Sequence, residues 1–277
     1  MIGCRQMVID GKKIANDIIV RLKALPKPAK FFGAVLVGND PASVNFLKQK
    51  EKVANELGIR FQLYELPSDI TTDKLREEIG RLAKPANCGG FIVQLPLPEK
   101  INRHYVLNAI PKEKDVDFLS EAALGSFYTG RNTLIPPSAG TVEEILNLEK
   151  RNLRDLMAVM VGAGFLIGKP VGFWLQNKVS ELIVLDAEVK DIHAKLGDAD
   201  IIVSGAGHSG LFCAEHLKNG ATVIDFGFNS TNGKITGDFD PTGAEEKNIH
   251  YTKTPGGTGP VLVAKLFENF YTLNGGK

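Results

Sequence analysis

Asp40-Pro41 opens a helix in this 277-residue chain, because an Asp side chain caps orphan amides and proline is preset for the first turn. On that helix Ser43, Phe46 and Lys50 fall at i, i+3 and i+7, so a hydroxyl, an aromatic ring and an amine share one face. Val53, Ala54 and Leu57 continue it. A lysine so placed is either a snorkelling stem on a helix flank or an amine turned into a cleft. Further on, the run Gly90 to Val93 leads into Gln94-Leu95-Pro96-Leu97-Pro98, which puts Gln94 at the carboxyl end of a strand. Open α/β sheets bind ligands there, although a plain turn residue fits the same place. Lys114-Asp115-Val116-Asp117-Phe118 then sets two carboxylates in a connection, as ligands or as caps of the next helix.

A second kind of chemistry sits in the other half. Met157 to Val161 reads as a strand that runs into Gly162-Ala163-Gly164-Phe165-Leu166-Ile167-Gly168 and then the helix of Val171-Asn177. Glycines between strand and helix let backbone amides approach a pyrophosphate at the helix N-terminus. The following strand, Glu181-Leu185, ends in Asp186, 24 residues after Gly162, where a carboxylate accepts both hydroxyls of an adenosine ribose. A tight turn and a helix cap are the alternative reading of the same residues. A carboxylate repels a 2′-phosphate, so NAD is expected over NADP; NADP would require a compensating cation at Lys190 or Lys169. Gly205-Ala206-Gly207 and Asp225-Phe226-Gly227 follow later strand ends, where main chain can pass close to a dinucleotide. Pro255-Gly256-Gly257-Thr258-Gly259-Pro260 makes a rigid turn before a closing helix, Val261-Leu273.

The elements that must carry these residues are short apolar runs alternating with amphipathic stretches from end to end. That order calls for right-handed βαβ units, a mainly parallel sheet covered on both faces, and an α/β class. The loop-rich stretch from about Asp115 to Gly140 separates two such sets and marks the domain boundary. The last four residues, 274–277, read as frayed. Composition is that of an ordinary globular chain, 43% hydrophobic and 23% charged, so disorder and collagen are excluded. A net charge of +1 offers no basic field for nucleic acid or anionic membrane, which leaves a small molecule as the expected partner. Cys4, Cys88 and Cys213 are odd in number and lack a CxxC, so neither a disulfide framework nor a metal site is expected. No apolar run is long enough for a signal peptide or a membrane span, and a cytoplasmic protein is expected.

In this order the motifs resemble the methylenetetrahydrofolate dehydrogenase/methenyltetrahydrofolate cyclohydrolase family, from about Val8 to Leu273. Its S-x-x-Y-x-x-x-K is similar to Ser43, Phe46 and Lys50; its V-Q-L-P-L-P stands unchanged at Val93-Pro98; its K-D-V-D-G matches at Lys114-Asp117; and its P-G-G-x-G-P matches at Pro255-Pro260. The resemblance implies a folate-binding catalytic domain, 1–138 plus a C-terminal helix 261–277, and a Rossmann-type NAD(P)-binding domain, 139–260, with a cleft between them and a homodimeric assembly. It implies oxidation of methylenetetrahydrofolate by a nicotinamide dinucleotide, then hydrolysis of the methenyl product to 10-formyltetrahydrofolate. Lys50 is then the acid/base group, Gln94 its hydrogen-bond partner and Asp117 the pterin holder. Ser43, Phe46, Leu95, Pro96, Pro255, Gly256 and Gly257 would line the folate site. Gly162, Ala163, Gly164, Gly168, Asp186, Gly205, Ala206, Gly207, Asp225, Gly227 and Thr258 would line the dinucleotide site.

The chain departs from the family at telling places. Phe46 replaces the tyrosine and loses its hydroxyl, so hydrolysis is expected to weaken more than hydride transfer. Phe118 replaces the glycine of K-D-V-D-G, and Pro136-Pro137-Ser138-Ala139-Gly140 replaces P-C-T-P. Ala163 and Gly164 stand where the family commonly carries arginine and serine, and its histidine and serine near Asp186 and Ala187 are absent, which removes its usual NADP contacts. A shikimate-type dehydrogenase of similar architecture and a non-catalytic folate or nucleotide binder are the alternatives.

Overall fold

The computed structural model describes residues 7–276 apart from 187, 188, 190, 232 and 233, so Cys4, Ala187 and Lys190 lie outside the described residues. The chain opens with β1 (Val8–Ile9) and α1 (Gly11–Lys23) and divides into two units. One holds Asn16–Pro137 and the segment from Val263; the other holds the segment up to Ala15 and Ser138–Leu262. The N-terminal residues thus differ from the expected domain assignment. Val8 and Ile9 pair in parallel with Tyr251 and Thr252, which ties them to the second unit's sheet.

The Asn16–Pro137 unit is built on a three-stranded parallel sheet. Its strands are β2 (Phe31–Val37), β3 (Phe61–Leu66) and β4 (Cys88–Val93), in the order β3-β2-β4, with α2 (Pro41–Glu56) and α3 (Thr72–Ala83) as crossovers. Every residue of central β2 and of edge strand β4 is buried, whereas the opposite edge strand β3 is only half-buried, so full coverage fails at that one edge. α4 (Arg103–Leu107) and α5 (Glu121–Tyr128) follow. The expected loop-rich boundary therefore contains a helix, started by the Ser120 side chain, which caps the Ala123 amide.

The Ser138–Leu262 unit is a doubly wound sheet of six parallel strands. After α6 (Pro137–Glu149) come β5 (Met157–Val161), α7 (Gly168–Gln176), β6 (Glu181–Leu185), α8 (His193–Leu196), β7 (Ile201–Ser204), β8 (Phe212–Cys213) and β9 (Thr222–Asp225). A hairpin, β10 (Asn229–Thr231) and β11 (Lys234–Thr236), precedes β12 (Phe239–Asp240), which pairs with β8, and then β13 (His250–Thr252). The main sheet runs β1-β13-β9-β7-β5-β6. Val161 pairs with Leu185 and with Ser204, and Ser204 with Asp225, so the carboxyl ends of four strands finish level and their loops gather along one sheet edge.

α9 (Thr258–Leu273) closes the chain. Its Phe267 and Phe270 rings meet Phe32 of β2 at centroid distances of 5.1 and 5.5 Å, aromatic packing worth about 1 kcal/mol per pair beyond burial. Asn274 is not frayed: its amide donates to the carbonyls of Gly89 and Phe270, and Gly276 N donates to Tyr271 O. No described helix is long and apolar enough to cross a membrane.

Candidate active site

Asp40 caps α2 by accepting the Ser43 amide at 2.8 Å, and that bond holds its carboxyl below the usual carboxylate range. The helix then presents a buried stripe of Ser43, Leu47, Lys50 and Ala54, flanked by Phe46 and Val53. Lys50 is only 3% exposed, which excludes the snorkelling alternative. Its Nζ donates to Gln94 Oε1 at 3.0 Å, and the ammonium sits 4.7 Å from the centroid of the Phe46 ring.

Gln94 is a shaped acceptor. Its own amide N–H continues the sheet by donating to Val35 O at 2.9 Å, and its side-chain Nε2 donates to Leu95 O at 2.7 Å. With the NH2 group held that way, the amide oxygen faces the lysine. Leu95 is half-buried and Pro96 exposed beyond it, joined by a cis peptide bond.

The two carboxylates of the Lys114-Phe118 segment have separate tasks. Lys114 Nζ donates to the carbonyls of Ala83, Lys84 and Pro85, satisfying the orphan end of α3. Asp115, buried, accepts from the amides of Leu119 and Ser120 and from Ser120 Oγ, and so braces Ser120, the residue that caps α5. Asn269 of α9 adds bonds to Val116 O and Ile135 O. Phe118 is held at φ 56° with its ring buried edge-on to Phe127, a left-handed conformation that the glycine of the family motif would adopt freely.

Asp117 is left to face Lys50. Loss of water pushes its carboxyl up to about 6, against the pull of the Lys50 charge and with a further push from Asp115. Burial lowers the Lys50 pKa in turn, and Asp117 opposes that shift without reversing it. An amine easier to deprotonate than ordinary lysine, an amide that orients it and a carboxylate near its titration point make a proton-transfer site.

In the six-stranded unit the glycine-rich turn fits a dinucleotide. Gly162 has φ 92°, and a Cβ at Gly168 would lie 1.8 Å from Gly162 O, so the turn closes only with glycines. The first turn of α7 has no side-chain cap, but its Lys169 and Val171 amides already donate to Gly164 O and Ile167 O at 3.0 Å and Pro170 carries no N–H, so the turn offers a pyrophosphate close main-chain approach rather than a row of spare amides. Ser138 Oγ, unforeseen from sequence, braces the turn by donating to Leu166 O at 2.8 Å. Beyond the ends of β5 and β6 lies a cavity of about 170 Å³ lined by Asp186, Asp191, His193, Ala206, His208 and apolar neighbours, suited to an adenosine moiety.

Other expected contacts are placed differently. The Ala206 and Gly207 amides point to Asp238 rather than outward, and the Asp225 carboxylate is turned inward to the Gly227 and Phe239 amides. Thr258 Oγ1 donates to Asp225 O at 2.9 Å, and Gly257 packs its main chain against Gly11, while Pro255 and Gly256 form the turn itself. Within this unit these residues shape loops.

A parallel α/β unit with a glycine-rich turn and a carboxylate bordering the cavity beside it, joined in one chain to a unit with a buried lysine, defines a two-domain α/β protein of the NAD(P)-binding class. Family models agree on both halves: the tetrahydrofolate dehydrogenase/cyclohydrolase catalytic domain matches residues 9–117, and the NAD(P)-binding domain of the same name matches residues 136–275. The chain belongs to the tetrahydrofolate dehydrogenase/cyclohydrolase family. It is 37% identical to the bifunctional protein FolD of a Wolbachia sp. (Drosophila simulans), over 95% of this chain and 93% of that one. Among solved structures it is similar to the bifunctional FolD dehydrogenase/cyclohydrolase of Campylobacter jejuni, with TM-score 0.90, 31% identity and coverage of 96% and 98%. The Trypanosoma brucei enzyme, complexed with NADP and an inhibitor, follows at TM-score 0.89 and 30% identity, covering 96% of each chain. The shikimate-type alternative is not favoured.

Proposed function

We propose that this chain oxidises 5,10-methylenetetrahydrofolate to the methenyl form and hydrolyses that form to 10-formyltetrahydrofolate, with Lys50 as the acid/base group. The observation that carries the reading is Lys50 itself, stripped of water yet hydrogen-bonded to Gln94 and coupled to Asp117. A nicotinamide dinucleotide, which the Gly162–Gly168 turn and Asp186 would hold, would supply the hydride acceptor when bound. Lys50, with its lowered pKa, takes the proton from the water that attacks the methenyl carbon, and Gln94 aims its lone pair. Asp117, with a pKa of about 6, is mostly ionised at neutral pH and accepts hydrogen bonds from the pterin ring. Ser43, Phe46, Leu95 and Pro96 bound the folate on this unit. Following reduced cofactor by absorbance, beside a methenyl hydrolysis assay, tests both steps. Turnover absent from both would leave the non-catalytic binder standing.

Two finer readings go with it. Hydrolysis is weakened, because Phe46 offers Lys50 a π face that favours the charged ammonium and no hydroxyl to share the proton. NAD is preferred, because Asp186 borders the cavity, Asp191 adds a second carboxylate, and Ala163 and Gly164 bring no cation. A titration with NADP binding more tightly than NAD overturns the latter. The protein acts as a cytoplasmic homodimer, a reading supported by the family resemblance and checked by sedimentation.

A further inference from the structure

We propose that Asp238 is a positioning residue for the dinucleotide, acting through the loop that follows β7. The residue has 0% exposure, so it cannot touch a cofactor itself. Its Oδ2 accepts from Ser204 Oγ at 2.6 Å, Ala206 N at 2.8 Å and Gly207 N at 3.3 Å, while Oδ1 accepts His208 N at 2.8 Å. Three consecutive amides wrapped on one carboxylate form an anion nest filled from inside the protein. The loop conformation is thereby set by a side chain more than 30 positions away in most of these contacts, and Gly207 at φ 71° completes the turn.

What the nest positions is the wall of the cofactor cavity. Ala206 and His208 both line it. On its other side the Asp238 carboxylate fills the space that a Cβ at Gly227 would need, its Oδ1 lying 2.3 Å from that point. Gly227 N is held by Asp225 Oδ1 at 2.6 Å, so one pair of acidic side chains anchors the loops after both β7 and β9. Asparagine cannot replace Asp238 in this role. Either orientation of its amide turns an NH2 toward a group that is itself a donor, since both oxygens are already accepting.

This inference rests on the dinucleotide reading above, and the experiment separates the two. Full-length wild-type, Asp238→Asn and the milder Ser204→Ala chains are titrated with NADH and NADPH by the fluorescence of the reduced nicotinamide, and methenyl hydrolysis and the KM for methylenetetrahydrofolate are measured on each. The expected result is dinucleotide affinity lowered tenfold or more in Asp238→Asn and about threefold in Ser204→Ala, with hydrolysis and folate KM within twofold of wild type. Unchanged affinity in both variants overturns the proposal, as does a parallel loss of hydrolysis, which marks a general structural role. A wild-type chain that binds neither dinucleotide overturns the functional reading, and the proposal falls with it.

Discussion

The two units solve opposite problems with polar groups. In the three-stranded unit the proposed chemistry rests on side chains: Lys50 and Gln94 are withdrawn from water, Asp117 is half-buried within reach of the Lys50 charge, and Lys114 and Asp115 immobilise the segment that carries Asp117. In the six-stranded unit two buried carboxylates are committed to holding loops, Asp238 by one hydroxyl and three amides and Asp225 by the amides of Gly227 and Phe239. The contrast teaches that burial alone does not mark a catalytic group. What separates Asp117 from Asp238 is the number of donors already committed to each carboxylate.

The largest test of this contrast removes the amine. Lys50→Met should lower methenyl hydrolysis by about 10²- to 10⁴-fold, the usual worth of a general acid/base, and leave hydride transfer far less affected, because that step depends on positioning. Equal losses in both activities would break the comparison. Next in size, Phe46→Tyr should raise hydrolysis about tenfold through a restored hydroxyl, with the hydride step within twofold; no gain would show that the missing hydroxyl does not limit the reaction. Asp186→Ser should shift the NADP-to-NAD affinity ratio roughly fivefold toward NADP, the effect of removing about 1 kcal/mol of repulsion near a 2′-phosphate in water.

The smallest effect concerns Asp225. Burial and the nearby Asp238 push its carboxyl up to about 7, against an ordinary value of 3.8. An acid whose pKa is raised by folding adds stability that is full below the unfolded value and lost as pH rises through the folded one. Asp225→Asn should therefore flatten the stability profile between about pH 4 and 7, removing a slope of up to about 1.4 kcal/mol per pH unit. Denaturant unfolding across that window checks it, and an unchanged slope would show that the carboxylate stays ionised.

Much of the fold is legible in the sequence because the central strands are continuous apolar runs; the runs Gly90 to Val93, Met157 to Val161 and Glu181–Leu185 each lie in a strand of the structure. The two- and three-residue strands β1, β8, β12 and β13 have no such pattern, since partners far along the chain define them. The motif residues Lys50, Gln94 and Asp117 were visible by type, but whether Lys50 is buried depends on Gln94, 44 positions later. Asp238 belongs to no motif read from the sequence. Its donors lie 30 to 34 positions upstream, and the only hint was a Gly-Asp pair after a hairpin.

The sequence by itself determined the α/β class, the helix that carries Lys50 and the glycine-rich turn, because periodicity, caps and glycine conformations act over a few neighbouring residues. Only the tertiary structure decided which charges are left reactive. The pKa of a carboxylate or an amine answers to how much water is excluded and how many donors converge on it, and those groups come from strands that chain order keeps apart.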